Sequence, residues 1–220
     1  FTASGDLMIK IGDNGDQITL NDWFTSSRSY FRLDSFSFAD GTVLTVDQFF
    51  DQKVVMGTGG ADTIYGADAS NDRFDGGGGD DEIRGASGGD ILKGGAGADT
   101  LYGDADADTL YGGLGNDILW GGTGDDVFQF NLGDGQDTIR PVGNNGVDTL
   151  SFGQGITAAA LRFLEVGYDL IIKVGDADDQ VKLFDWNAPG WSDTRIDRLT
   201  FADGTVMTRN QLLAKKPVYG

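Results

Sequence analysis

The chain has 220 residues and contains neither cysteine nor histidine. Without cysteine there are no disulfide staples and no thiol nucleophiles. Without either residue there are no imidazole bases and no His or Cys ligand sets of the kind that hold zinc. Proline is scarce, at three residues, and no apolar run approaches the ~18 residues needed to span a bilayer. Positive charge is short as well: 16 Lys and Arg stand against 35 Asp and Glu, a formal net charge of −19. Such a chain repels nucleic acid and anionic membrane surfaces and favours cations or basic partners. The oxygen ligands remain, and 39% hydrophobic residues suffice for a core.

What is abundant is glycine and aspartate, and both are concentrated. Between Gly57 and Gln129 stand 15 acidic and three basic residues, a net −12, together with 21 of the 36 glycines. Written in nines from Gly57, this stretch reads GTGGADTIY, an extra Gly66, then ADASNDRFD, GGGGDDEIR, GASGGDILK, GGAGADTLY, GDADADTLY, GGLGNDILW and GGTGDDVFQ. The sixth place is aspartate in every unit: Asp62, Asp72, Asp81, Asp90, Asp99, Asp108, Asp117 and Asp126. The eighth is always apolar: Ile64, Phe74, Ile83, Leu92, Leu101, Leu110, Leu119 and Phe128. A flexible Gly/Asp linker has no reason to hold an apolar residue in one phase. A stacked repeat does, because one unit cannot bury its apolar residue alone.

The pattern divides each nine into six residues that turn and three that extend, with glycine in the first, second and fourth places permitting positive φ and leaving carbonyls unshielded. Two nines make one coil of about 18 residues. The expected fold is therefore all-β: a parallel, right-handed β-helix-like roll in which two parallel sheets face each other across the eighth-place row.

These units resemble the GGxGxDxUx nonapeptides of the RTX (repeats in toxin), haemolysin-type calcium-binding family, whose fold is a parallel β-roll. Departures fall in the second unit, where Ala67, Asp68, Ala69 and Ser70 occupy the turn, and in the sixth, where Asp104 and Asp106 replace glycine. The resemblance implies that Ca²⁺ lies between units n and n+2. One sixth-place carboxylate would come from each, with main-chain carbonyls from the second and fourth places of the earlier turn and the first and third of the later. Six oxygens suit Ca²⁺ better than Mg²⁺.

The carboxylate columns would then be Asp62, Asp81, Asp99, Asp117 and Asp72, Asp90, Asp108, Asp126. The carbonyl donors would include Gly60, Gly76, Gly77, Gly78, Gly79, Gly94, Gly95, Gly97, Gly112, Gly113 and Gly115. Eight units leave six gaps, and six or more ions would offset the local net −12. In the irregular stretch that follows, Asp137 and Asp148 each stand before a Thr and an apolar residue, and are expected to close the final gaps with Asp117 and Asp126. The off-phase Asp75, Asp80, Asp104, Asp106 and Asp125 read as solvated turn charge.

A second, longer repeat flanks the first. The segment from Asp6 aligns without a gap onto the segment from Asp169, with Trp23/Trp186, Arg32/Arg195 and two FADGTV hexamers identical. It predicts strands at Leu7–Ile11 and Leu170–Val174, hairpin partners at Gln17–Leu20 and Gln180–Leu183, and Thr45 or Thr208 capping a short helical turn. These segments are similar to the haemolysin-type calcium-binding related segment that follows RTX blocks, and their expected job is to cover an open end of a roll. The tryptophans are expected to pack and the arginines to pair with acids. The division is then a cap-like module over 1–56 that closes a preceding block, a roll over 57–129, and a C-terminal capping module over 130–220. The chain opens on Phe1 and reads as an excerpt of something longer.

The implied function is non-enzymatic: a calcium-binding module of a secreted bacterial protein, disordered where calcium is scarce. It would pass a type I secretion apparatus as a transient partner and fold outside the cell. Glu82 and Glu165 are the only glutamates, and neither sits in a recognisable catalytic setting. The alternatives are a segment of an adhesin or toxin that contacts a host-cell or matrix surface through Trp120, Trp186, Trp191 or Tyr168, and an accessory module of a secreted polysaccharide-acting enzyme.

Overall fold

The computed structural model describes residues 7–11, 16–20, 35–37, 43–45, 54–66, 69–140, 146–175, 178–186, 188 and 196–214. Two eight-stranded sheets, parallel through most of their width, are stacked as a β-solenoid of about five turns. One sheet begins with Thr63–Tyr65, Glu82–Ser87, Thr100–Ala105, Ile118–Thr123 and Gln136–Arg140. The other begins with Val55–Met56, Arg73–Gly78, Ile91–Ala96, Thr109–Leu114, Val127–Phe130 and Asp148–Phe152. Successive units alternate between the sheets, so units two apart lie side by side. Ile83 pairs with Leu101 and Leu101 with Leu119, while Leu92 pairs with Leu110 and Leu110 with Phe128.

This register puts every eighth-place residue into one core. From Ile64 to Phe128 each is at most 1% exposed, and Ile139 and Leu150 continue the two rows. Burying one such side chain contributes about 1.5–3 kcal/mol relative to leaving it exposed, which is why the phase is kept from unit to unit. Outside, the ninth places of one sheet form a stack. Arg84 lies 3.9 Å over the Tyr102 ring, Tyr102 stacks on Trp120 at 5.9 Å, and Arg140 sits over Trp120 at 4.8 Å.

The strands are longer than the expected three residues. Most central strands have six, because the first three places of the next unit stay paired to the neighbouring coil after the inward side chain, leaving the fourth to sixth places outside the ladder. The two-residue lengthening between Leu119 and Ile139 and the four-residue lengthening between Phe128 and Leu150 are absorbed outside the strands, so the pairing is retained.

The C-terminal copy of the long repeat continues both sheets. Gln180–Leu183 adds in parallel to Gln136–Arg140, and Ile196–Phe201 adds in parallel to Asp148–Phe152. The direction then reverses: Asp169–Val174 and Leu161–Val166 follow antiparallel on one side, and the three-residue Val206–Thr208 follows on the other. Thr208 caps the helix Arg209–Ala214 in a reciprocal pair, donating N–H to Gln211 Oε1 at 2.9 Å while its hydroxyl accepts the Gln211 N–H. Trp186 is buried in the core cluster with Arg209 over its ring, as packing predicts. In the first copy, Leu7–Ile11 pairs antiparallel with Asp16–Leu20 and Ser35–Ser37 with Val43–Thr45. Trp23, Arg32, Trp191, Arg195 and the turn after Thr45 lie outside the described residues.

Candidate metal sites between successive turns

The sixth-place aspartates end each turn just before the inward strand, so the fold that buries the apolar row also buries them. From Asp72 to Asp126 they are at most 3% exposed, and Asp62, Asp137 and Asp148 at most 6%. They form two columns. The main-chain N–H of Asp62 donates to Asp81 Oδ1, Asp81 to Asp99, Asp99 to Asp117 and Asp117 to Asp137, at 2.7–3.1 Å. On the other side Asp72 donates to Asp90, Asp90 to Asp108, Asp108 to Asp126 and Asp126 to Asp148, over the same range.

The second oxygen of each carboxylate is treated differently. Oδ2 of Asp81, Asp90, Asp99, Asp108, Asp117, Asp126 and Asp137 is buried with no hydrogen-bond partner among the described residues. At the open end of the column, where no earlier turn exists in the roll, Asp62 Oδ2 instead accepts the N–H and hydroxyl of Thr58.

A buried carboxylate oxygen with no donor is costly unless a cation or a proton compensates it. Burial, reinforced by the neighbouring carboxylates, pushes the Asp108 and Asp137 carboxyls up to about 8 and those of Asp90 and Asp148 up to about 7, against the pull of the amide bond each accepts. Asp81, Asp99, Asp117 and Asp126 rise to about 6 for the same leading reason.

The glycines bring main-chain oxygens to the same gaps. A Cβ on Gly94 would collide with Asp99 Oδ2 and stand 2.6 Å from the Gly112 carbonyl oxygen, and Gly76 is placed in the same way against Asp81 and the Gly94 carbonyl. First-place carbonyls of the later turn therefore face the carboxylate of the earlier one. In the second place, a Cβ on Gly95 would strike the Gly77 carbonyl oxygen and one on Gly113 that of Gly95. In the fourth place, Gly97 and Gly115 stand in the same way over the carbonyls of Gly79 and Gly97. Third-place carbonyls are tied across the gap, with Gly79 N–H donating to Ala96 O and Gly97 N–H to Leu114 O, both at 2.8 Å. A Cβ on Gly78 would meet nothing nearer than 3.8 Å and one on Gly60 nothing within 4 Å, so neither position is crowded.

Among the described repeat residues left-handed backbone falls at second and fourth places, with Ala69 in the irregular second unit, φ 63°, as the exception, and at no first place. The first-place glycine is needed for room rather than for φ, which corrects the expectation from sequence. The departures in the sixth unit keep the turn intact: Asp104 and Asp106 adopt φ of 73° and 75°, a conformation aspartate tolerates better than most residues. Asp80 and Asp125 are exposed, as expected for turn charge, yet each accepts an N–H from the adjacent coil, Ala98 and Val147 respectively.

Among the described residues no group of three or more carboxylates could hold an ion by itself. The oxygen set of each gap is mixed, two aspartates with main-chain carbonyls, and such all-oxygen donors with irregular geometry fit Ca²⁺. Sequence reading missed two further buried aspartates, Asp134 and Asp179. Asp134 lies in Leu132–Asp137, an unrecognised ninth turn whose signal is Gly133 and Gly135 at the second and fourth places, with φ of 91° and 104°. Asp179 sits in the second long copy opposite that turn and accepts the Gly133 N–H at 2.8 Å.

Comparison with curated proteins gives no match. Residues 54–83, 84–119, 93–128 and 102–139 match the RTX calcium-binding nonapeptide repeat (4 copies). Residues 6–48 and 169–211 match the haemolysin-type calcium binding protein related domain. The middle of this chain therefore belongs to the RTX calcium-binding repeats, and it forms their calcium-binding β-roll between two haemolysin-type calcium binding protein related domains.

Proposed function

We propose that the sixth-place aspartates from Asp62 to Asp126, together with Asp137 and Asp148, are the carboxylate ligands of Ca²⁺ between turns, completed by the first-, second-, third- and fourth-place carbonyls. Asp81, for example, would share an ion with Asp99 and the main chain of Gly77, Gly79 and Gly94. Six or more ions per chain follow from the number of gaps. The observation that carries this reading is the unbroken file of buried, unpartnered Oδ2 atoms from Asp81 to Asp137. Bound Ca²⁺ supplies the positive charge that lets these carboxylates stay ionised inside the fold.

The same charge argument makes the roll a calcium-dependent folding unit. Glycine-rich turns lose much entropy on ordering, and stacked carboxylates repel, so metal binding free energy becomes folding free energy. A chain that folds only at millimolar calcium suits export as a disordered polymer through a type I secretion apparatus and folding outside a bacterial cell, where sites of about 10⁻⁴–10⁻³ M affinity suffice. The role is structural and non-catalytic, with 130–220 closing the roll and 1–56 closing a preceding block. Burial of Trp186 and the packing of Trp120 between Tyr102 and Arg140 leave Tyr168, 56% exposed, as the described aromatic most open to a surface partner.

The test is far-UV circular dichroism against calcium concentration for the unaltered chain and for Asp99→Ala and Asp108→Ala. A coil-to-β transition that both substitutions move to higher calcium is expected. A roll fully formed in chelator, with no response to calcium, overturns the reading.

A further inference from the structure

The second long copy meets the roll through two sets of contacts. One set lies at the strand edges. Gln180–Leu183 and Ile196–Phe201 pair in parallel with the last coil, Asp179 Oδ2 accepts the Gly133 N–H at 2.8 Å, and Asp197 Oδ2 accepts the Asp148 N–H at 3.0 Å. The gap-free alignment gives the first copy Asp16 and Asp34 at the positions of these two carboxylates. It also has Ile18 and Leu20 where the second copy has Val181 and Leu183, and its strands Asp16–Leu20 and Ser35–Ser37 correspond to the docked pair.

The other set lies on the outer face, and there the copies differ. The Phe184 N–H donates to the Ile139 carbonyl at 3.0 Å, which sets its ring beside Arg140. The Arg140 guanidinium lies 3.7 Å from the Phe184 centroid and 4.8 Å from that of Trp120, so two rings enclose it. Its Nε is buried with no hydrogen-bond partner among the described residues. A cation held by stacking rather than by an acid depends on both rings. On the other sheet Arg198 Nε donates to the hydroxyl of the buried Thr149 at 2.8 Å. The first copy has Asn21 in place of Phe184 and Ser35 in place of Arg198. Asparagine has no ring to lay on a guanidinium, and serine carries no charged donor.

We propose that these outer residues decide which roll a copy closes. The shared edge is the general means of attachment, and Phe184 and Arg198 fit the second copy to Arg140 and Thr149 of this roll. The first copy, with Asn21 and Ser35, is matched to a different partner: a nonapeptide roll whose last coil has no arginine at the ninth place. Discrimination follows because a copy without the matching ring leaves one face of the guanidinium uncovered, a cost that the right copy does not incur. The inference rests on the reading that each copy closes a roll, and adds what each copy selects.

Hydrogen exchange of the full chain in saturating CaCl₂ tests it, through a double-mutant cycle of Phe184→Asn with Arg140→Ser. Phe184→Asn sets the first copy's residue against this roll. It is expected to speed exchange along Gln180–Leu183 by about five-fold or more, with Ile91–Ala96 unchanged. In the Arg140→Ser background the same substitution should change those rates by about two-fold or less, and Phe184→Tyr, which keeps the ring, should leave them unaltered. Arg198→Ser with Thr149→Val forms a second cycle, read across Ile196–Phe201, and carries the result should Phe184→Asn fail to fold. Equal effects of Phe184→Asn with and without Arg140, and of Arg198→Ser with and without Thr149, overturn the selection while leaving the closing role intact. Gln180–Leu183 amides that exchange at free-chain rates in the unaltered protein overturn both.

Discussion

Asp99 accepts the main-chain N–H of Asp81 through Oδ1 at 2.8 Å, while its Oδ2, equally buried, has no hydrogen-bond partner among the described residues. One carboxylate thus performs two tasks: one oxygen joins neighbouring coils and the other faces the gap with its charge uncompensated. The tasks are separable by substitution. Asp99→Asn retains an acceptor for Asp81 and removes the charge, so the calcium midpoint for folding is expected to rise by about ten-fold or more with the calcium-saturated spectrum unchanged. A calcium titration followed by circular dichroism checks this, and an unshifted midpoint assigns Asp99 to the coil-joining bond alone.

Protons and calcium compete for the same oxygens. Burial raises the Asp108 and Asp137 carboxyls to about 8 and those of Asp81, Asp99, Asp117 and Asp126 to about 6, above the unfolded value of 3.8. A raised folded-state value gives stability that is present at low pH and lost as pH rises through the folded value. In chelator the roll is therefore expected to gain β-structure on acidification from about pH 8 to about pH 5. Calcium affinity should fall over the same interval, with proton release on binding. Calorimetry in two buffers of different ionisation enthalpy measures that release; none at pH 7 contradicts the linkage.

Room, rather than φ, governs the first-place glycines. Gly94→Ala would drive a methyl into Asp99 Oδ2 and toward the Gly112 carbonyl, with a cost expected at about 2 kcal/mol or more. Gly59, with nothing within 4 Å and no positive φ, should accept alanine within about 1 kcal/mol. Thermal melts in saturating calcium compare the two.

Apolar burial and metal binding are expected to act on the same transition. Leu110 is 0% exposed and Leu114, four residues on in the same strand, is 59% exposed. Leu110→Ala should cost about 2–5 kcal/mol of calcium-saturated stability, and Leu114→Ala about 0.5 kcal/mol or less. Denaturant unfolding in calcium measures both.

The eighth-place row and the sixth-place columns were legible in the sequence because a stacked repeat lets a nine-residue phase stand for position in space. Ile83, Leu101 and Leu119 could be placed on one sheet from spacing alone, and Asp81, Asp99 and Asp117 in one file. Legibility failed where the spacing changed. The ninth turn was hidden because Phe130 and Asn131 displace it from the period, and Asp179 because it reaches that turn from 46 residues beyond Gly133. The length of the strands was misjudged for another reason: a first-place glycine has no side chain to reveal that its backbone is extended and hydrogen-bonded.

Sequence alone determined the repeat, its inward row, its carboxylate columns and the all-oxygen chemistry left to a chain without histidine or cysteine. All of these follow from local periodicity and composition. Only the tertiary structure decided which oxygen of each carboxylate is engaged, why first-place glycine cannot carry a Cβ, and how the flanking copy joins the roll. Those depend on the approach of backbone from the neighbouring coil, a distance set by sheet pairing between segments 18 or more residues apart.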